Sequence, residues 1–590
     1  MILPYLSEVQ NASKKYSVVF RGINYGEGTQ DGEFAETHNL STDQYPCITQ
    51  RAERLKITDK YSEPSTLHSK GNLLVIDGED VWYGDTKVGS VEKGKKQTAT
   101  IGNYIVIFPD KKYYKVPTEE DKDGEFGSME IEHKEHGLQF TKSSISIVKE
   151  VKVNNPTVTF SSISGAGANF PFKEGDIVTI SNPDGIVAEG VVIRGATSDM
   201  LTFDDNTFSN IGNMGYVFTI KRTNPSSFTF KKGDAVTITG CSENGNNKEE
   251  GSEVIIRSAT SDTLTFDDNA FTETTEKGEI TIKRSVPDLD FICESNYRLW
   301  GTHGNSIYSS KFSDPFNFKV FEGLSSDSYS IEIGSEGDFT GCIPYSSHIC
   351  FFKENTLHKL YGTKPSNFQI TTANVYGVQS GCERSMQIVN EQLLYKGVGG
   401  IYAYTGGVPE LISEKFGNKR FSEAVACCDG EKYYISMKQG DTWNMFTYDV
   451  LKNIWLREDD THAVDMTFYQ GKVYFISKDG LYYIDKTADR NNIEWGATFC
   501  KIHETIHERK GYSKFHLRAD LSAGSWLAVD IKTDNDTQWR QVYITHDEKA
   551  KTITIPIIPT RCDSIDIRIR GKGNCTIRDF VREFTTGSDV

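Results

Sequence analysis

A chain of 590 residues exceeds what one hydrophobic core can serve, so three or more domains are expected. Its 37% hydrophobic and 12% aromatic content suffices for folding, and 51 glycines against 16 prolines suit a turn-rich, all-β protein. The formal charge of −17 argues against a protein that coats nucleic acid, no apolar run is long enough to span a bilayer, and the start MILPYLSEVQ lacks the basic and apolar stretches of a signal peptide.

Residues 1–60 come first. The stretch FRGINYGEGTQDGEFAETHNLSTDQYPCITQR (20–51) is polar, punctuated by Gly and Asn, and weakly periodic. It predicts an N-terminal arm and linker that lies on another body, the plainer reading being a first β-hairpin. Over residues 61–145 strands begin, in GNLLVIDGEDVWYGDTKVGSV and GNYIVIFPDKKYYKV. Gly71-Asn72 and Gly102-Asn103 open similar strand pairs 31 residues apart. A propeller blade takes roughly 40–45 residues, so small or incomplete first blades are expected. Glu119, Asp121, Asp123, Gly124 and Glu130 sit at the offsets of a calcium-binding EF-hand loop. The flanks read as strands, so a solvated acidic hairpin is preferred.

Residues 146–288 carry the clearest repeat. Phe172-Lys-Glu-Gly-Asp176 matches Phe230-Lys-Lys-Gly-Asp234, IRGATSDMLTFDDNTF (193–208) matches IRSATSDTLTFDDNAF (256–271), and FTIKR (218–222) matches ITIKR (280–284). This predicts a tandem duplicate of a module of about 60 residues, a five- or six-stranded barrel or sandwich, interrupting the propeller. Asp204, Asp205 and Asn206, with their copies Asp267, Asp268 and Asn269, have calcium-binding chemistry, but read better as turn residues whose side chains cap the backbone.

Blade-like hairpins resume over residues 289–488. Asp314-Pro-Phe-Asn317-Phe318 and Lys364-Pro-Ser-Asn367-Phe368 align 50 residues apart, a blade period. Farther on, the runs Gln392–Tyr395, Gly400–Tyr404, Lys432–Met437, Met445–Tyr448, Val473–Ile476 and Leu481–Ile484 are too short for helices and rich in Tyr, Phe, Ile and Val. Together these strands predict a β-propeller of about seven blades. In residues 489–590, Ile565, Ile567 and Ile569 alternate with Asp566, Arg568 and Arg570, which predicts a jelly-roll-like β-sandwich.

One motif has catalytic form. His503-Glu504-Thr505-Ile506-His507 spells the zinc-protease signature, in which a helix brings both histidines to one face and the glutamate activates the metal-bound water. Here no helical apolar stripe supports it. On a strand the two rings would stand about 13 Å apart, and His516 is the only nearby third nitrogen, so coincidence is preferred. No catalytic, cofactor-binding or metal-binding residue is therefore assigned, and no cofactor. Eleven cysteines, without C-x-x-C spacing and with Cys427 and Cys428 adjacent, fit free thiols of a reducing cytosol better than a disulfide framework.

The arrangement Gly22-x-Asn24, Asp31-Gly32-Glu33, Asn39-Leu40-Ser41 and Tyr45-Pro46-Cys47-Ile48, followed by the blades ending Asp-Pro-x-Asn-Phe, resembles bacteriophage tail and neck β-propeller structural proteins, including nozzle-type and packaged-DNA-stabilising virion proteins. The resemblance spans the chain outside the duplicated insertion. It implies a non-enzymatic structural protein of the virion, assembled in the host cytoplasm. Its partners would be copies of itself in a ring, other tail or neck proteins, and double-stranded DNA that slides past acidic walls without specific binding; no membrane segment is expected. The alternatives are a tail adhesin that reads host glycans through the duplicated modules or the sandwich, and, less favoured, a zinc metalloprotease.

Overall fold

The computed structural model describes residues 12–165, 168, 170–208, 212–213, 215–223, 225–504, 506–534, 536–547, 551–558 and 561–586. Apart from single 3-10 turns, these residues build strands and loops only. Seven four-stranded antiparallel sheets form a propeller. Blade 1 runs from Pro64–Lys70 to Thr86–Ser90, blade 2 from Gln97–Ile101 to Glu125–Ser128, and blade 3 from Phe291–Ser295 to Tyr329–Glu332. Blade 4 runs from Gly341–Tyr345 to Gln369–Asn374, blade 5 from Gln387–Val389 to Glu410–Leu411, and blade 6 from Ala424–Cys428 to Ile454–Asp459. Blade 7 takes three strands from Asp465–Tyr469, Lys472–Ser477 and Gly480–Ile484, and its outermost from Arg54–Thr58, far back in the chain. The ring closes where Asp465–Tyr469 packs against Pro64–Lys70 of blade 1.

Blades 1 and 2 are complete, against the expectation of small ones. Tight turns at Gly71, Gly78 and Gly102, all at positive φ, fit four short strands into each. Apolar layers fill the blade interfaces, such as Trp300, Ile307, Phe351 and Leu360 between blades 3 and 4, and one continuous cluster joins blades 4, 5 and 6.

Of the arm expected over residues 1–60, residues 1–11 lie outside the described residues, and the rest form no arm. Ser13–Ser17 pairs with Cys575–Thr586, Phe34–His38 pairs with Glu494–Phe499, and Ile48–Gln50 pairs again with Cys575–Thr586. The sandwich expected from residues 489–590 alone is thus a joint product of both ends of the chain, with sheets of seven and five strands. Phe20, Phe34, Leu40 and Ile48 supply part of its core, an apolar set diluted in sequence by the glycines and polar residues between them. The sandwich also rests on blade 6: the Ile23 N–H donates to the Trp455 carbonyl at 2.8 Å, and the Thr37 hydroxyl donates to the Arg457 carbonyl at 2.9 Å.

The insertion starts earlier than residue 146 and is nested, not tandem. Ile131–Phe140 pairs with Thr274–Arg284, and Ser144–Ile147 pairs with Thr263–Thr265, so an outer module is made of residues 131–147 and 228–284. An inner module, residues 150–222, is inserted between its first hairpin and the remainder. The repeat therefore includes a further match, Thr141-Lys-Ser-Ser-Ile-Ser146 with Thr159-Phe-Ser-Ser-Ile-Ser164. Among the described residues the modules hold seven and nine strands, more than expected, because short two-residue strands line their edges.

Each module is seated by the same pair. In the outer one, Arg284 donates to Asp234 at 2.9 Å and to the Met129 carbonyl, and Asp234 also accepts from Asn317 of the blade 3 loop. In the inner one, Arg222 lies 3.0 Å from Asp176 and donates to Glu135 of the outer module at 3.1 Å. The recurring Lys-x-Gly-Asp and Ile-Lys-Arg segments are thus the feet by which each module stands on its neighbour.

Candidate functional site

The protease-like motif lies in the loop between Glu494–Phe499 and Lys510–Leu521, neither helix nor strand; Thr505 falls outside the described residues. Glu504 is at positive φ and turns inward, where Arg582 donates to it at 2.7 Å. Arg582, itself buried, also donates to Asp31 and Ser17. Burial works against the charge on Arg582, but Glu504 and Asp31 outweigh it and raise the pKa. The glutamate that would activate a metal-bound water is thus held by a guanidinium tying the last long strand to the first segment of the chain. His503 and His507 are exposed, and His516 faces Glu583 at 3.5 Å. Among the described residues, no group of three or more His, Cys, Asp or Glu side chains is placed to hold a metal.

The other acidic candidates are also engaged in ties. Asp121 is paired with Lys115, and Glu130 accepts from Lys111 and from the Val286 N–H at 3.1 Å each, so the EF-hand offsets do not converge. Asp204 takes a two-point contact from Arg194 at 2.9 and 3.0 Å, and its copy Asp267 takes the same from Arg257 at 2.8 and 2.7 Å. Asn206 and Asn269 both adopt positive φ, as the turn requires. The eleven cysteines are unbridged, and nine of them are buried.

The propeller axis is filled at one end. The 3-10 turn Glu383–Ser385, between blades 4 and 5, places Arg384 where its guanidinium donates to the carbonyls of Ser65, Lys96 and Val464 and pairs with Asp465 at 3.1 Å. Glu383 accepts from Gln97 at 3.2 Å, and the Tyr433 hydroxyl donates to the Ser385 carbonyl at 2.7 Å. A three-residue turn can touch blades 1, 2, 6 and 7 together only from the axis. Burial raises the pKa of Asp465 and Arg384 opposes that rise. Nothing in the sequence marks Arg384, an arginine in a strand-poor link whose partners are about 80 to 320 residues away.

A second charge cluster closes the seam between blades 6 and 7. Arg54 reaches Glu458 at 2.5 Å and Asp459 at 2.9 Å, and Arg51 reaches Asp459 at 3.1 Å. Burial alone would push the Asp459 carboxyl up, but Arg54 and Arg51 outweigh it and bring it down to about 2.

No protein-family model and no curated protein matches the sequence. Among solved structures, the chain is similar to BamB from Moraxella catarrhalis (7% identity, TM-score 0.29, covering 74% of this chain and 98% of that one). It is also similar to the N-terminal domain of Nup159 (9% identity, TM-score 0.21, covering 44% and 97%) and to Hsv2 from Kluyvelomyces marxianus (9% identity, TM-score 0.24, covering 44% and 75%). These likenesses concern the fold alone, and the assignment of an all-β propeller rests on the strand pairing itself.

Proposed function

We propose that the chain is a structural, non-enzymatic building block of a bacteriophage virion, repeated as a ring in the tail or neck and lining or closing the DNA ejection channel. The observation that supports this most is the interlocking of the two ends. Residues 13–58 complete both the sandwich and blade 7, so propeller and sandwich form a single stiff body with few free strand edges. The segment that resembles phage tail proteins, Gly22 to Ile48, is this interlock. Side chains with catalytic form, Glu504 foremost, are occupied in holding it together. The net charge of −17 suits a wall past which DNA slides without sticking.

Electron microscopy of purified virions, with native mass spectrometry of the isolated protein, tests the proposal. The expected result is a closed ring of copies around the channel, with no retention of double-stranded DNA in a mobility-shift assay even at low salt. A chain missing from the particle, or attached singly to its exterior, overturns the channel role.

A further inference from the structure

The outer face of the smaller sandwich sheet carries a feature that neither the core nor the proposed assembly uses. Along Ile565–Lys572 the isoleucines point into the core, while Arg568 and Arg570 point outward; beside them, Asp530 and Trp526 point outward from Trp526–Thr533. Arg568 donates to Asp530 at 2.9 and 2.7 Å, and Arg570 donates to it at 2.7 Å and to Gln541 at 3.1 Å. The Asp530 side chain is 1% exposed beneath those of Arg568 and Arg570, which are 31% and 37% exposed. An indole flanks each: Trp539 lies 4.5 Å from Arg568, and Trp526 lies 5.6 Å from Arg570. The row reads Trp539, Arg568, Asp530, Arg570, Trp526. A trough of about 320 Å³ opens beside it over Gly496, bordered by His38, Thr498 and Trp526.

The two guanidiniums neutralise the buried Asp530 carboxylate from one side and leave their outer faces open, and the indoles beside them leave apolar area in water. The arrangement suits a ligand that offers flat C–H faces and many hydroxyls together. Indole planes stack against the faces, guanidinium N–H groups donate to hydroxyls, and Asp530 and Gln541 accept from them. Arg568 and Arg570 are already committed to Asp530, so a bidentate grip on a phosphate or carboxylate would first have to break those bonds. Glu36 and Glu494 at the trough also repel anions. Trp526 and Lys532, the latter under Trp539, are six residues apart on one strand, a span of about 20 Å.

We propose that this face binds an uncharged oligosaccharide, with Trp526 and Trp539 as stacking platforms and the Arg568–Asp530–Arg570 ladder fixing the ring hydroxyls. The site does not depend on the virion assignment. The full-length protein is applied to an array of neutral hexose and N-acetylhexosamine oligosaccharides beside uronic- and sialic-acid-bearing ones, and the best binder is titrated by calorimetry. The expected result is selective retention of neutral glycans, weakened about tenfold or more in Trp526→Ala and in Trp539→Ala at unchanged melting temperature. Quenching of tryptophan fluorescence by the same glycan reports on the unmutated protein, should a variant misfold. Absence of neutral-glycan binding, binding of acidic glycans only, binding unchanged in the double variant, or no quenching in the unmutated protein overturns the proposal.

Discussion

His358 is buried in blade 4 between hydroxyls, with Nδ1 2.9 Å from Thr372 and Nε2 2.9 Å from Ser335. Burial, helped by Lys353, lowers its pKa from 6.5 to about 4. The unfolded chain therefore binds the proton more readily, and the stability contributed by the neutral ring is complete above pH 6.5 and lost as pH falls toward 4. Thermal melts across that window should show a fall in melting temperature that His358→Asn reduces; an identical fall in the variant would assign the titration elsewhere. Glu504 is the acidic partner at the join between the two ends of the chain. Its carboxylate and Arg582 are both almost fully buried, so Glu504→Gln leaves a guanidinium half-paired and should destabilise the protein by about 3 kcal/mol in urea titration. On the structural reading, zinc addition changes nothing in either protein, and a metal-dependent shift in the unmutated chain alone would revive the protease.

Among the elements, the axial turn Glu383–Ser385 and the charge cluster at the blade 6–7 seam both tie neighbouring blades together. A propeller is held by blade-on-blade packing, and its weak point is the place where first and last blades meet. Blade 7 meets blade 1 there, and Arg384 binds residues of both. Arg384→Ala removes one partner of a buried pair and should cost about 3–5 kcal/mol, read as a shift in the denaturant midpoint at unchanged slope. Asp459 has its carboxyl lowered to about 2, so the stability it adds is present above its unfolded value of 3.8 and is lost as pH falls from there toward 2. Asp459→Asn should flatten the acid limb of the stability profile over that interval. The repeat legible at Lys-x-Gly-Asp and Ile-Lys-Arg was visible because it is local; its role as a foot was not, because Asn317 and Glu135 belong to other elements.

Nesting makes the inner module separable from the rest of the chain. The ends of the inner module's insertion lie together, since the N–H groups of Ile147 and Phe228 donate to adjacent carbonyls at Asp262 and Ser261. Excising residues 149–227 and joining the ends with a short Gly-Ser linker should leave the propeller, sandwich and outer module folded, with strand content by circular dichroism lowered only by the module removed. Deleting residues 12–58 should instead abolish cooperative folding, because it opens blade 7 and strips strands from the sandwich together. Strand content, the blade punctuation and the twin modules were set by the sequence alone, for alternation, turn residues and repeats act over a few neighbouring positions. Tertiary structure alone decided that the opening segment is core and not arm, that one module sits inside the other, and that Glu504, Arg384 and Asp530 have the partners they have. Those outcomes depend on contacts between residues up to several hundred positions apart, and no local pattern encodes which distant strand will supply the missing edge.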